Sequence, residues 1–166
     1  MIYKFANRLF NLVKYFEEFL DSSSICLDIN KSVQLDRFSC GIHSAFMILN
    51  YFNKVKYLRE INYNTELLKK DGIDTEPLLN IIRNFNCSVK VNSNAFLSDI
   101  TKSINDKNPI LISVDDGEHW VVVYGYSMNS IFVLDPSPLS AIKCRWNVKT
   151  FLKRWDENWI AVISDK

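Results

Sequence analysis

Along residues 2–20, Ile2, Phe5, Leu9, Leu12, Val13, Phe16, Phe19 and Leu20 recur at helical intervals between Lys4, Arg8, Asn11 and Glu18, which predicts an amphipathic helix. The polar run from Asp21 to Ser24 ends it, so residues 1–30 are expected to form a helical extension beside a main domain at 31–166. A second helical stripe, Ile42, Ala45, Phe46, Leu49 and Phe52, begins at Cys40, with Ser39 placed to cap its free amides. A third follows Asp74 and Thr75, with Pro77 in its first turn and Leu78, Leu79, Ile81, Ile82 and Phe85 on its apolar side.

Alternation over Cys87–Val91 predicts a strand, and Leu97, Ile100, Thr101 and Ile104 predict a short helix closed by Asn108 and Pro109. Three β-rich runs then follow closely: Ile110–Val114, Trp120–Tyr126 and Ile131–Leu134. Their polar connections, 115–118 and 128–130, are short enough to pair neighbours antiparallel as a meander. Val148, Phe151, Leu152 and Trp155 predict a last helix, and Trp159–Ile163 a last strand. Helices come first and the sheet later, which is the order of an α+β domain.

Composition narrows the range of functions. The 166 residues suit one core, and 48% hydrophobic content with 11 Phe, 7 Tyr and 4 Trp excludes a disordered chain. Twenty basic and 19 acidic residues give a net charge of +1, so no summed field draws in nucleic acid. The apolar runs fall far short of the roughly 20 residues that span a bilayer, and no cleavage site follows the first helix, so neither stable membrane insertion nor a signal peptide is expected. Cys26, Cys40, Cys87 and Cys144 form no C-x-x-C pair, which fits reduced thiols and a cytoplasmic location better than disulfides or zinc. Asp115, Asp116 and Glu118 supply too few ligands for calcium and read as a solvated hairpin turn.

A cysteine at a helix start faces unpaired amides and the positive end of the helix dipole, both of which favour thiolate. Cys40 alone of the four has this setting. Such a nucleophile needs an imidazole, and the chain has two histidines. His119 opens the second strand of the meander, from where it can project toward a facing helix. His43 lies on the same helical face as Cys40 without an evident carboxylate and reads as structural. Asp135 closes the strand that pairs with the one His119 opens, so antiparallel pairing brings the two together, and Pro136 stops the ladder there. The backbone amide of Cys40 and the side chain of Gln34 are the expected oxyanion donors, and Gly41 and Trp120 the expected substrate contacts.

The stretch Gln34-Leu35-Asp36-Arg37-Phe38-Ser39-Cys40-Gly41, with Ser44-Ala45-Phe46-Met47 and Tyr51-Phe52 after it, resembles the start of the bacteriocin-processing C39 peptidases, a papain-like family. The resemblance continues through His119-Trp120-Val121-Val122-Val123 and Leu134-Asp135-Pro136, and more loosely through Phe151–Trp155. It implies a papain-like α+β fold and a thiol peptidase that removes leader peptides after a small-residue pair, usually Gly-Gly, with no metal or cofactor. The partners it implies are a peptide or protein substrate and a separate exporter. Ser39 stands where many family members carry an acidic residue, and the exporter to which family peptidases are commonly fused is not part of this sequence. The same Cys40, His119 and Asp135 would also serve a glutamine deamidase or an acyl transferase, and a non-enzymatic peptide-binding module is a further alternative.

Overall fold

The computed structural model describes residues 24–63 and 72–166. The helix expected over residues 2–20 lies outside them. In chain order the elements are β1 (Ile25–Cys26), α1 (Cys40–Tyr51), a 3-10 turn (Leu58–Glu60), α2 (Thr75–Asn84), β2 (Cys87–Asn92), α3 (Leu97–Asn105), β3 (Ile110–Val114), β4 (His119–Tyr126), β5 (Ser130–Leu134), β6 (Cys144–Asn147), α4 (Val148–Arg154) and β7 (Ile160–Asp165). This is the expected α+β arrangement.

The strands form one antiparallel sheet in the order β2-β7-β3-β4-β5-β6, with β1 attached to β4. All five residues of β3 and six of the eight in β4 are buried, so both faces of the sheet centre are covered by packed elements. Helices α1 and α3 both pack on β4, α2 lies against β2, and α4 covers β5 and β6. The core joins Ile42, Met47, Ile48 and Leu49 of α1 to Val121, Val122 and Val123 of β4 and to Ile110 and Ile112 of β3.

β3 pairs with β4 as far as Val123, and β1 takes over that edge at Gly125 and Tyr126. Leu27 extends the contact by donating its amide to Tyr124 O at 2.8 Å. Ile25 and Cys26, which a boundary near residue 30 leaves with the extension, therefore join the sheet, and Ile29 is 1% exposed in the core. The close passage explains Gly125: a Cβ there would stand 2.7 Å from both Cys26 Cβ and Ile25 O and 2.8 Å from Phe132. The register of β4 against β5 shifts between Val123 and Gly125, a bulge at Tyr124 that bends β4 at this crossing.

The β3–β4 connection turns through three successive positive φ values, at Asp115, Asp116 and Gly117. Aspartate tolerates the left-handed region better than most residues, and a glycine completes the turn. Arg154, at the end of α4, grips the carboxylate of Asp115 with two hydrogen bonds of 2.8 and 2.5 Å, while Asp115 N–H donates to Arg154 O. The guanidinium also lies 4.0 Å from the centre of the Trp146 ring. The turn read from the sequence as merely solvated is thus pinned to α4, and this fixes the point where β4 begins.

Candidate active site

Helix α1 starts at Cys40, and the residue before it does not act as expected. Ser39 makes no side-chain cap. Asp36 instead takes the amides of Phe38 and Ser39 on its Oδ1, at 3.0 and 2.8 Å. A carboxylate that closes the preceding turn satisfies those two donors and leaves the front of α1 without a side-chain oxygen. The first turn of the helix therefore has neither a side-chain cap nor an acidic residue to compensate its dipole.

Strand β4 begins at His119, directly after the pinned turn, and β5 ends one residue before Asp135. Val122 pairs with Leu134, so Asp135 falls beside the start of β4. His119 Nε2 and Asp135 Oδ1 are 2.7 Å apart. Asp135 Oδ1 also accepts the Ser137 amide at 2.8 Å, which orients the carboxylate. With Nε2 engaged, Nδ1 is the ring nitrogen left for a thiol.

Burial disfavours a charge on His119, but its hydrogen bond with Asp135 and its interaction with Cys40 outweigh that, and the imidazole pKa is pushed up to about 9. Burial likewise opposes ionisation of Asp135, yet bonds from His119 and the Ser137 amide hold its carboxyl below the usual range. Cys40 itself is only 7% exposed. One side chain couples the two halves: Ser44, one helical turn after Cys40, is fully buried and donates its hydroxyl to Trp120 O at 3.1 Å, next to His119. The helix carrying sulfur is thereby fastened to the strand carrying the imidazole, a link the sequence signals only as a small residue on the buried helix face.

Gln34 is 5% exposed, and its backbone N–H donates to Pro136 O at 2.9 Å, which brings it to the same rim as Asp135. Its Nε2 donates to Asp36 O at 2.7 Å, leaving one amide hydrogen uncommitted and Oε1 buried without a partner. Lys31 fastens the same rim, its ammonium donating to Ser137 O, Ser140 O and Ser140 Oγ at 3.0, 2.9 and 2.7 Å. His43 stands apart: its Nδ1 lies 2.7 Å from Ser32 Oγ, and burial pulls its pKa down against the opposing charge of Asp36. Gly41 is buried beneath the cleft, where a Cβ would collide with Ile73 and come within 3.1 Å of the Trp120 ring.

A cavity of about 690 Å3 opens beside Cys40, walled by Phe38, Gly72–Thr75, Ser113, Gly117, Glu118, Trp120, Asp156, Glu157 and Trp159. Trp120 Nε1 donates to Ile73 O at 3.1 Å, tying one wall to the sheet. These segments converge from distant parts of the chain, and among their residues only Trp120 was expected from the sequence as a substrate contact.

A helix-borne thiol facing a sheet-borne imidazole across a cleft places the molecule among the papain-like cysteine peptidases. Residues 28–166 match the model of the Peptidase C39 family, and the chain belongs to that family. None of the curated proteins matches it. Among solved structures, a double glycine motif protease from an AMS/PCAT transporter, in complex with its leader peptide, superposes with a TM-score of 0.68 at 16% identity, covering 85% of this chain and 94% of that one. The peptidase domain of Streptococcus ComA, a bi-functional ABC transporter of a quorum-sensing pathway, gives 0.65 at 18% identity over 82% and 98%. A C39-like peptidase from Bacillus anthracis, described as putative, gives 0.69 at 14% over 87% and 98%. The chain is thus a cysteine peptidase by family. No helix among the described residues is long and apolar enough to cross a membrane.

Proposed function

We propose that Cys40 is the nucleophile of a peptidase that cuts a leader-type peptide after a pair of small residues, with His119 as its base and acid and Asp135 as the group that orients the imidazole. The reading rests above all on the 2.7 Å bond between His119 Nε2 and Asp135, which leaves Nδ1 for sulfur and favours a protonated imidazole beside it at neutral pH. The thiolate attacks the amide carbonyl, and the oxyanion is held by the Cys40 amide and the free Nε2 hydrogen of Gln34. His119 gives its proton to the leaving amine, producing a thioester and a free amino terminus. Water, relieved of a proton by the now neutral imidazole, attacks the thioester and releases the acid and the thiol.

The preference for small residues is supported by the burial of Cys40 and of Trp120, each 7% exposed. A backbone can approach so recessed a sulfur only where its own side chains are minimal. The leader-peptide substrate is supported by the double glycine protease that shares the fold, and a separate exporter is the partner this implies. Four free thiols support a cytoplasmic setting.

The test is cleavage of a peptide library by wild type beside Cys40→Ala, read by mass spectrometry. Chain scission after small residues that disappears in Cys40→Ala is the expected result. A gain of about one dalton on intact glutamine-containing substrates would instead make the enzyme a deamidase, and equal products from both proteins would remove Cys40 from the chemistry.

A further inference from the structure

The cavity beside Cys40 has a charge that the proposed chemistry does not use. Asp74, Glu118, Asp156 and Glu157 line it against the single guanidinium of Arg37. Elsewhere in the fold single carboxylates pair with cations: Asp115 with Arg154, Asp165 with Lys54 and Glu76 with Arg83. Between the four acids, Trp120 and Trp159 meet edge to face with ring centres 5.7 Å apart, so two indoles form a corner of the cavity wall. In the same wall Ser113, 9% exposed, carries a buried hydroxyl without a hydrogen-bond partner. A buried hydroxyl normally finds a partner within the fold, so this one is left for something that enters the cavity.

We propose that this cavity is a subsite for a basic side chain, lysine or arginine, on the substrate peptide close to the cleaved bond. The inference deepens the peptidase reading given above and rests on it for the word substrate. Each wall supplies a distinct part of cation recognition. The carboxylates neutralise the charge, the indoles attract it through their ring faces, and the Ser113 oxygen accepts a hydrogen bond from the cationic head. Arg37, an exposed side chain at the mouth, narrows the choice further by repelling a second cation. The site discriminates by charge as well as by size, which a pocket selecting only glycine would not do.

The experiment uses Cys40→Ala, which binds without cutting, and pentapeptides built on Gly-Gly in which one position at a time carries lysine, norleucine or glutamate. Tryptophan fluorescence reports occupancy through Trp120 and Trp159. At one position the lysine peptide should bind about tenfold tighter than its uncharged norleucine counterpart at 50 mM salt, with the advantage shrinking several-fold at 500 mM. The advantage should vanish when Asp156→Asn and Glu157→Gln are added to Cys40→Ala. Equal binding of lysine and norleucine peptides at every position overturns the proposal, as does an advantage that survives neutralisation of both acids. Wild type that binds the lysine peptide selectively yet cleaves none of the set would remove the peptidase reading and leave the cation subsite standing.

Discussion

The chain has only two histidines, so each can be followed singly through a pH titration by NMR. In wild type His119 should titrate at about 9 and His43 below 6.5, since a carboxylate and a sulfur support one ring while burial suppresses the charge on the other. Replacing Asp135 by Asn keeps the shape but removes the charge that accepts the Nε2 proton. A rise from 6.5 to about 9 amounts to about 3 kcal/mol in favour of the charged ring, at roughly 1.4 kcal/mol for each pH unit. Asp135 supplies the stronger hydrogen bond of the two partners, so Asp135→Asn should lower the His119 value by at least about one pH unit, with a loss of about 1.5 kcal/mol or more. His43 should not move. Hydrolysis should fall in step, by about tenfold to a hundredfold in kcat/KM, with its alkaline limb displaced to lower pH. The same linkage governs stability. A histidine whose folded-state pKa is raised stabilises the fold fully below its unfolded value of 6.5, and that contribution is lost as pH rises through about 9. The denaturation midpoint of wild type should therefore decline over this window and that of Asp135→Asn should decline less. A wild-type His119 that titrates near 6.5, or one unmoved by the substitution, refutes the pairing of His119 with Asp135.

Gly125→Ala should destabilise the fold by about 1–3 kcal/mol, because a methyl there meets Cys26, Ile25 and Phe132 within 2.8 Å; a melting temperature unchanged from wild type would show that β1 does not cross β4 as described. Ser44→Ala leaves Trp120 O without its donor and should cost about 1 kcal/mol in chemical denaturation while lowering kcat more than it raises KM, since the sulfur loses its tether to the strand. Arg154→Met keeps the contact with Trp146 but frees Asp115; faster amide hydrogen exchange at residues 115–118 is expected, and unchanged protection there would dissociate the turn from α4.

What the sequence made readable was what repeats. The stripe from Ile42 to Phe52 and the three apolar runs after Pro109 each span a full element, so α1, β3, β4 and β5 lie where periodicity places them. The meander followed from short polar turns, and with it the meeting of His119 and Asp135, since antiparallel pairing returns the chain to the same sheet end. β1 and β6 escaped because two and four residues are too few to show a period, and β1 owes its existence to an edge of β4 that β3 leaves bare. Ser39 misled because a serine before a helix usually caps, whereas Asp36 had already taken the nearby amides. The cation subsite was hidden for another reason. Its acids come from residues 74, 118, 156 and 157, and no window along the chain holds more than two of them.

β7 follows every other element in sequence yet lies inside the sheet, hydrogen-bonded to β2 on one side and β3 on the other. During translation the ribosome therefore releases Cys40, His119 and Asp135 well before the strand that closes the gap between those two neighbours. Until residues 160–165 emerge, Trp159 lacks the strand that follows it, and the wall it forms with Trp120 beside the sulfur is incomplete. The wall is thereby completed only once residues 160–165 have entered the sheet, a sequence of events set by the order of the strands.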